Sequence, residues 1–380
     1  LFSFELPSGS LPGECCKFRL ALGAFNRVDF GMPEVSNIDP TLPFIDLHRH
    51  LDGSIRLETI IDLARQNNIE LPGTTVEEIR PHVQVTEPQP GLMAFIAKML
   101  WGTRMLVNGE SCRRVARENV EDAQREGIDY LELRFSPYFM AEPHQLDMAE
   151  VIEGVVAGIA EGVEATSVRV NLIGILSRTY GAEICHKELE ALLAHREHFV
   201  ALDLAGDEAN FPAPLFVEHF KKGRDAGWRI TVHAGEAGGP QSVWDAIQLL
   251  GAERIGHGVR ALEDPKLTDY LREHRVPIEA NLTSNVHTST VADLNSHPLR
   301  DMLASGLVCS INTDDPGISA IDLRHEFEIA APAAGLTRAQ IHQAQINALE
   351  TAFLSAEEKR ELGKKRQKTP NAQRRISNVE

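Results

Sequence analysis

The chain has 380 residues, 43% of them hydrophobic, enough for one large domain with a substantial core or for two ordinary ones. A formal charge of −17 and a pI near 5.4 argue against a nucleic-acid partner and favour small or neutral ligands. No uninterrupted apolar run approaches the roughly 20 residues of a membrane helix, and five scattered cysteines, an odd number, fit reduced thiols in a cytoplasmic protein.

Residues 1–40 show no clear period and read as an extension, a flexible arm or a fusion remnant. Glu5 and the prolines interrupt any apolar region there, which argues against a signal peptide. From residue 41 onward, short apolar runs bounded by turn residues alternate with helical patterns. The predicted strands are "PFIDLH" (43–48), "IDYLELRF" (128–135), "VRVNLIGIL" (168–176), "FVALDLA" (199–205), "WRITVHA" (228–234), "ERIGHG" (253–258), "VPIEANL" (276–282) and "GLVCSINTDD" (306–315). Between them lie helical patterns such as "SCRRVARENVEDAQREG", closed by Gly127, and "GPQSVWDAIQLLG", closed by Gly251. The stretch from Arg56 to Gly127 is too long for one crossover helix, so a helical insertion is expected after the first strand. Its "GLMAFIAKMLWGTRMLV" segment reads equally as core packing or as a lid. The chain is expected to close with a basic tail over 361–380, beyond a catalytic barrel at 41–360.

Strands that are apolar almost throughout suit a parallel sheet covered on both faces, and eight of them alternating with helices predict a (β/α)8 TIM barrel. A doubly wound open sheet competes, but no glycine-rich phosphate loop follows the first strand. Polar residues gather at the C-terminal end of nearly every predicted strand: His48 and His50, Arg134 to Pro137, Gly206 to Glu208, His233 to Glu236, His257, Asn281 to Asn285, Asp314 and Asp315. A barrel builds its active site at those ends.

Residues i and i+2 of a strand share a face, so His48 and His50 can reach one ion while Arg49 points away. His233 ends the fifth strand and Asp314 the eighth, and barrel closure brings the first and eighth strands together. Three imidazoles and one carboxylate make a ligand set for a single Zn2+ per chain. Glu236, three residues after His233 in "HAGE", falls on the loop beyond the strand, where a carboxyl in a dry pocket has a raised pKa and can donate a proton. His257 in "GHG" can hold a metal-bound water and accept its proton. Asp315 next to Asp314 makes a carboxylate pair that needs a cation or a shared proton. The remaining histidines, His297 among them, read as structural or solvated. The third and fourth strands end "GILSRT" and "ALDLAGDE", without the lysine or histidine a second metal would need.

The ordered motifs "DLHRHLDGS", "LRFSP", "LDLAGDE", "TVHAGE", "RIGHGV" and "SINTDDPG" resemble the adenosine deaminases, in particular the bacterial kind, over about residues 41–360. The resemblance implies hydrolysis of adenosine and 2′-deoxyadenosine to inosine, or its 2′-deoxy form, and ammonia. It implies His48, His50, His233 and Asp314 as zinc ligands and Glu236 as the acid that protonates purine N1. By the same resemblance His257 and Asp315 activate and orient the attacking water, Asp315 also meets N7, Gly206 offers its backbone N–H to N3, and Asp52 binds a ribose hydroxyl. His50 would also face the substrate, with Leu92 and Phe95 of the insertion against the purine. The chain departs from many relatives after the seventh strand, where Ala280 and Asn281 stand in place of Cys-Pro. Two alternatives stand beside this reading: an adenine deaminase, which would carry a serine-rich stretch where this chain has "AGDE", and a non-catalytic binding relative, which would have lost Glu236 or a ligand. Neither nucleic acid nor membrane is an expected partner.

Overall fold

The computed structural model describes residues 36–368. Most of the N-terminal extension and the end of the basic tail therefore lie outside the described residues. Eight strands run in sequence order, β1 (Ile45–His50), β2 (Tyr130–Phe135), β3 (Arg169–Ser177), β4 (Phe199–Ala205), β5 (Arg229–Ala234), β6 (Arg254–His257), β7 (Ile278–Ala280) and β8 (Cys309–Ile311), each parallel to the next. A parallel bridge between Arg49 and Asp314 closes the ring, with Asp314 N donating to His48 O at 2.8 Å and His50 N to Asp314 O at 2.8 Å. The protein is a (β/α)8 barrel, as the alternation of elements predicts.

The insertion after β1 consists of α1 (Leu57–Asn67), α2 (Val76–Val83) and α3 (Leu92–Thr103), followed by the crossover helix α4 (Gly109–Glu126). Helix α4 starts where the Asn108 side chain accepts Ser111 N at 2.9 Å and stops at Gly127, whose φ of 80° suits a residue without a Cβ. The predicted helix after β5 is interrupted: Pro240–Asp245 is α-helical and Ala246–Leu250 widens into a π-type turn before Gly251. β7 and β8 are shorter than their apolar runs suggest. Leu282 already starts a helix, and the buried Glu326 carboxylate accepts the Leu282 and Thr283 N–H groups at 3.1 and 3.3 Å.

Strand β1 carries a bulge that alternation alone does not anticipate. Asp46 pairs with Leu131 and Arg49 with Leu133, so Leu47 and His48 together oppose Glu132. The extra residue shifts the phase of the strand. Ile45 and Leu47 pack with Tyr130 in the lower barrel, and His48 and His50 still turn inward above them. Arg49 turns outward to Glu126 of α4, at 2.9 and 2.6 Å.

Glu188 ties the ends of β2 and β3 together, accepting from Ser136 Oγ at 2.6 Å, Ser177 N at 2.7 Å and Tyr138 N at 3.1 Å. Burial outweighs these donors and pushes its carboxyl from 4.5 up to about 7. Below the unfolded value both states are protonated and the site carries no penalty. Between the two values the unfolded chain ionises first, so stability falls as pH rises and levels off above the folded value. We expect wild type to lose about 3 kcal/mol across this window relative to Glu188→Gln. Urea midpoints measured from acid to neutral pH check it; parallel profiles would contradict it.

Candidate metal centre and active site

The inside of the barrel is a buried charge network. Glu279 of β7 accepts from Arg134 Nη2 (2.8 Å), Arg254 Nε (2.6 Å), Thr231 Oγ1 (2.9 Å) and His48 Nδ1 (2.7 Å). Asp203 of β4 takes Arg134 Nη1 at 2.8 Å and His233 Nδ1 at 3.0 Å. Burial alone would raise the Glu279 pKa, but Arg134, Arg254 and His48 hold the carboxyl well below the usual range. Removing that charge leaves Arg134 with Asp203 and Arg254 with Glu132 as their remaining buried carboxylates, so Glu279→Gln is expected to cost about 3–5 kcal/mol in a urea melt. A loss below 1 kcal/mol would show that the network is dispensable.

The network sets the histidine tautomers. With Nδ1 of His48 and of His233 donating to carboxylates, both rings turn an unprotonated Nε2 toward the barrel axis. There His48 Nε2 and His50 Nε2 lie 3.0 and 3.1 Å from His233 Nε2, and 3.1 and 3.3 Å from Asp314 Oδ1. Lone pairs and a carboxylate oxygen so close together repel unless a cation lies among them. These edges match ligand separations about an ion bound at roughly 2.0–2.1 Å. The donor set fits zinc. Burial and the neighbouring histidines push the His233 pKa down to about 4, keeping its ring neutral. Ser284 Oγ donates to Asp314 Oδ2 at 2.6 Å and so fixes the other oxygen.

His257 stands one step back, with Nε2 at 3.6 Å from Glu236 and 3.9 Å from Asp314; a ring nitrogen of it, one of His48, one of His233 and an oxygen of Asp314 form a group of potential ligands within 4.8 Å of one another. Its protonation follows from a chain of bonds. Leu299 N donates to His297 Nδ1 at 3.1 Å, so neutral His297 donates from Nε2 to Asn285 Oδ1 at 3.2 Å. That orients the Asn285 amide to donate to His257 Nδ1 at 3.0 Å, and the neutral His257 ring carries its proton on Nε2. This differs from a His257 that takes a proton from water: its site-facing nitrogen is a donor. His257 and Asp314 both have φ of 64°, rare for residues with a side chain and concentrated where function holds the backbone.

Glu236 and Asp315 are buried, and both carboxyls have raised pKa values: Glu236 from burial, then Asp314 and Glu208; Asp315 from burial, then Asp314 and Asp52. Glu236 Oε1, Asp315 Oδ1 and Asp52 Oδ1 accept no hydrogen bond, the last facing His50 Nδ1 at 3.8 Å, which suits atoms awaiting a ligand. Gly53 makes room for Asp315, since a Cβ there would lie 1.7 Å from Asp315 Oδ1. Gly206 follows β4 at φ +109°, with Thr179 Oγ1 only 2.4 Å from where a Cβ would stand. Leu92 begins α3 half-buried, and Phe95 is buried in the main core. The segment before α3 is tied to the loops after β7 and β8 by Gln89 N to His287 O and Val85 N to Ile318 O, both 2.8 Å.

Strand-end alternation thus leads to the histidines, the acids and Asp314. It reaches Arg134, Glu208 and Asn285 at strand ends without giving them a role, and it misses Glu279, Asp203 and His297. The signal for Asp203 and Glu279 was present: each is a lone acid inside an otherwise apolar strand, a position a carboxylate occupies only when paired.

A closed eight-strand barrel with imidazoles and a carboxylate converging at its C-terminal ends defines a metal-dependent hydrolase of the amidohydrolase type. The family model described as Adenosine deaminase matches residues 43–368. The adenosine deaminase of Klebsiella pneumoniae (strain 342) is 60% identical over 325 residues, covering 86% of this chain and 98% of that protein. The adenosine deaminase of Escherichia coli O1:K1 / APEC is 58% identical over 328 residues, with the same shares covered. Among solved structures, an adenine deaminase from Arthrobacter aurescens superposes with a TM-score of 0.80 at 27% identity, covering 86% of this chain and 98% of that one. The chain belongs to the adenosine deaminase family.

Proposed function

We propose that this protein is a zinc-dependent adenosine deaminase: adenosine or 2′-deoxyadenosine plus water gives inosine or 2′-deoxyinosine plus ammonia. The observation that carries the reading is the convergence of His48, His50, His233 and Asp314 beside Glu236, in a chain about 60% identical to a curated adenosine deaminase. Those four residues would hold one Zn2+, which supplies a water acidified to a pKa near 7. His257 donates from Nε2 to the attacking oxygen and fixes its direction toward C6. Glu236 protonates N1, so that negative charge does not build on the ring as its aromaticity is lost; of the attacking water's two protons one returns to the Glu236 carboxylate and the other goes to the amino group, which leaves as ammonia. Asp315 meets N7, the Gly206 N–H meets N3, and Asp52 takes a ribose hydroxyl. His50 borders the bound nucleoside, and α3 with Leu92 and Phe95 covers the purine and excludes water.

Nucleoside rather than free base is favoured by "AGDE" after β4, where Gly206 lacks a side chain and Glu208 is committed to the next loop. No helix of the described residues is long and apolar enough to cross a membrane. Cys112, Cys185 and Cys309 are buried free thiols, which supports a cytoplasmic setting. Running the reaction in oxygen-18 water tests the hydrolytic step: one labelled oxygen at C6 of inosine is expected, and unlabelled product would overturn it.

A further inference from the structure

We propose that Glu208 is the positioning residue for Glu236, clamping the loop after β5 onto the loop after β4. Its carboxylate accepts four consecutive backbone N–H groups: Gly235 at 2.6 Å on Oε1, and Glu236 at 3.1 Å, Ala237 at 2.7 Å and Gly238 at 2.7 Å on Oε2. Ser242 Oγ donates to Oε1 as well. Glu208 is 4% exposed. A run of backbone donors on one buried carboxylate is a nest with the anion supplied by the protein itself. The clamped segment contains Gly235 at φ +72° and continues through Gly238 and Gly239, a backbone with little conformational preference of its own.

This inference rests on Glu236 being the N1 proton donor. On that reading Glu208 does more than quiet a loop. Gly206 lies two residues before it and Glu236 is held by it, so Glu208 sets the distance between the N–H that meets N3 and the carboxyl that meets N1. Its charge also adds to those opposing ionisation of Glu236. A misplacement of about 1 Å at a reacting group can cost roughly a hundredfold in rate.

Gly238 provides a second handle. A Cβ there would lie 2.7 Å from Glu208 Oε1 and 2.9 Å from its Cδ, forcing the carboxylate out of the nest without altering any residue that meets substrate. The test is steady-state kinetics on adenosine, with bound metal per chain, for Glu208→Gln, Gly238→Ala and the double variant. Each single change is expected to lower kcat tenfold to a hundredfold, with KM within about threefold and metal content as in wild type. The double variant is expected to be no slower than Glu208→Gln alone, because the closest contacts of the added methyl are with the Glu208 carboxylate, Ser242 Cβ lying next at 3.0 Å. Wild-type kcat in either single variant, KM rising in step with the loss of kcat, or multiplicative losses in the double variant would overturn the proposal. If Glu208→Gln does not fold, Gly238→Ala decides alone: a kcat-only loss supports it and wild-type kcat overturns it. Glu236→Gln separates the two layers. If it is inactive while Glu208→Gln is not impaired, only the positioning role fails.

Discussion

Glu236→Gln is expected to lower kcat on adenosine about a thousandfold while the metal stays bound and KM changes little. Glutamine keeps the shape of the side chain and its place above the Glu208 nest but has no acidic proton to give to N1. The effect is large because Glu236 is poised for that one transfer. Burial, Asp314, Glu208 and Asp315 all favour its protonated form. Its Oε1 has no protein partner, so no neighbour competes with the substrate for that oxygen. The other groups near C6 cannot replace it. His257 is held by Asn285 and, on the proposed reading, serves the attacking oxygen, while Asp314 is engaged by Ser284. Stopped-flow and steady-state rates check the prediction, with metal analysis of the same sample. A variant retaining near-wild-type kcat would remove Glu236 from proton transfer.

Stripping the metal with a chelator is expected to reduce turnover below 1% of wild type and to lower Tm by several degrees, both reversed by one equivalent of zinc. The stability change follows from the crowding of His48 and His50, whose Nε2 atoms lie 3.0–3.3 Å from His233 Nε2 and Asp314 Oδ1. Without a cation that arrangement holds lone pairs against one another. With one, mass action contributes about 4 kcal/mol when free metal exceeds Kd a thousandfold. Calorimetry of stripped and reconstituted protein measures it. An unchanged Tm would mean that the four atoms are held by the network behind them and gain nothing from the ion.

The barrel was legible in the sequence because eight apolar runs alternate with helical patterns and polar residues collect at one end of nearly every run, although β7 and β8 are shorter than their runs. His48, His50, His233 and Asp314 could be read from that polarity and from strand alternation. The path by which His48 comes to face inward could not. Plain alternation would place His48 on the face opposite Leu47, whereas the bulge turns both into the barrel. Bulges depend on the register of two strands distant in sequence and leave no local trace. The loop contacts were hidden for a related reason. Glu208 stands 27 to 30 residues from the amides it holds, and Asn285 is 28 from His257. His297, which looks like an ordinary loop histidine, gains its meaning only from the amide it orients.

Nucleoside deamination is decided by ammonia release from adenosine, adenine and AMP by the zinc-loaded protein under one set of conditions. With Asp52 proposed to take a ribose hydroxyl and Gly206 to meet N3, kcat/KM for adenosine is expected to exceed that for adenine and for AMP by at least a hundredfold. Faster turnover of adenine than of adenosine would contradict that expectation.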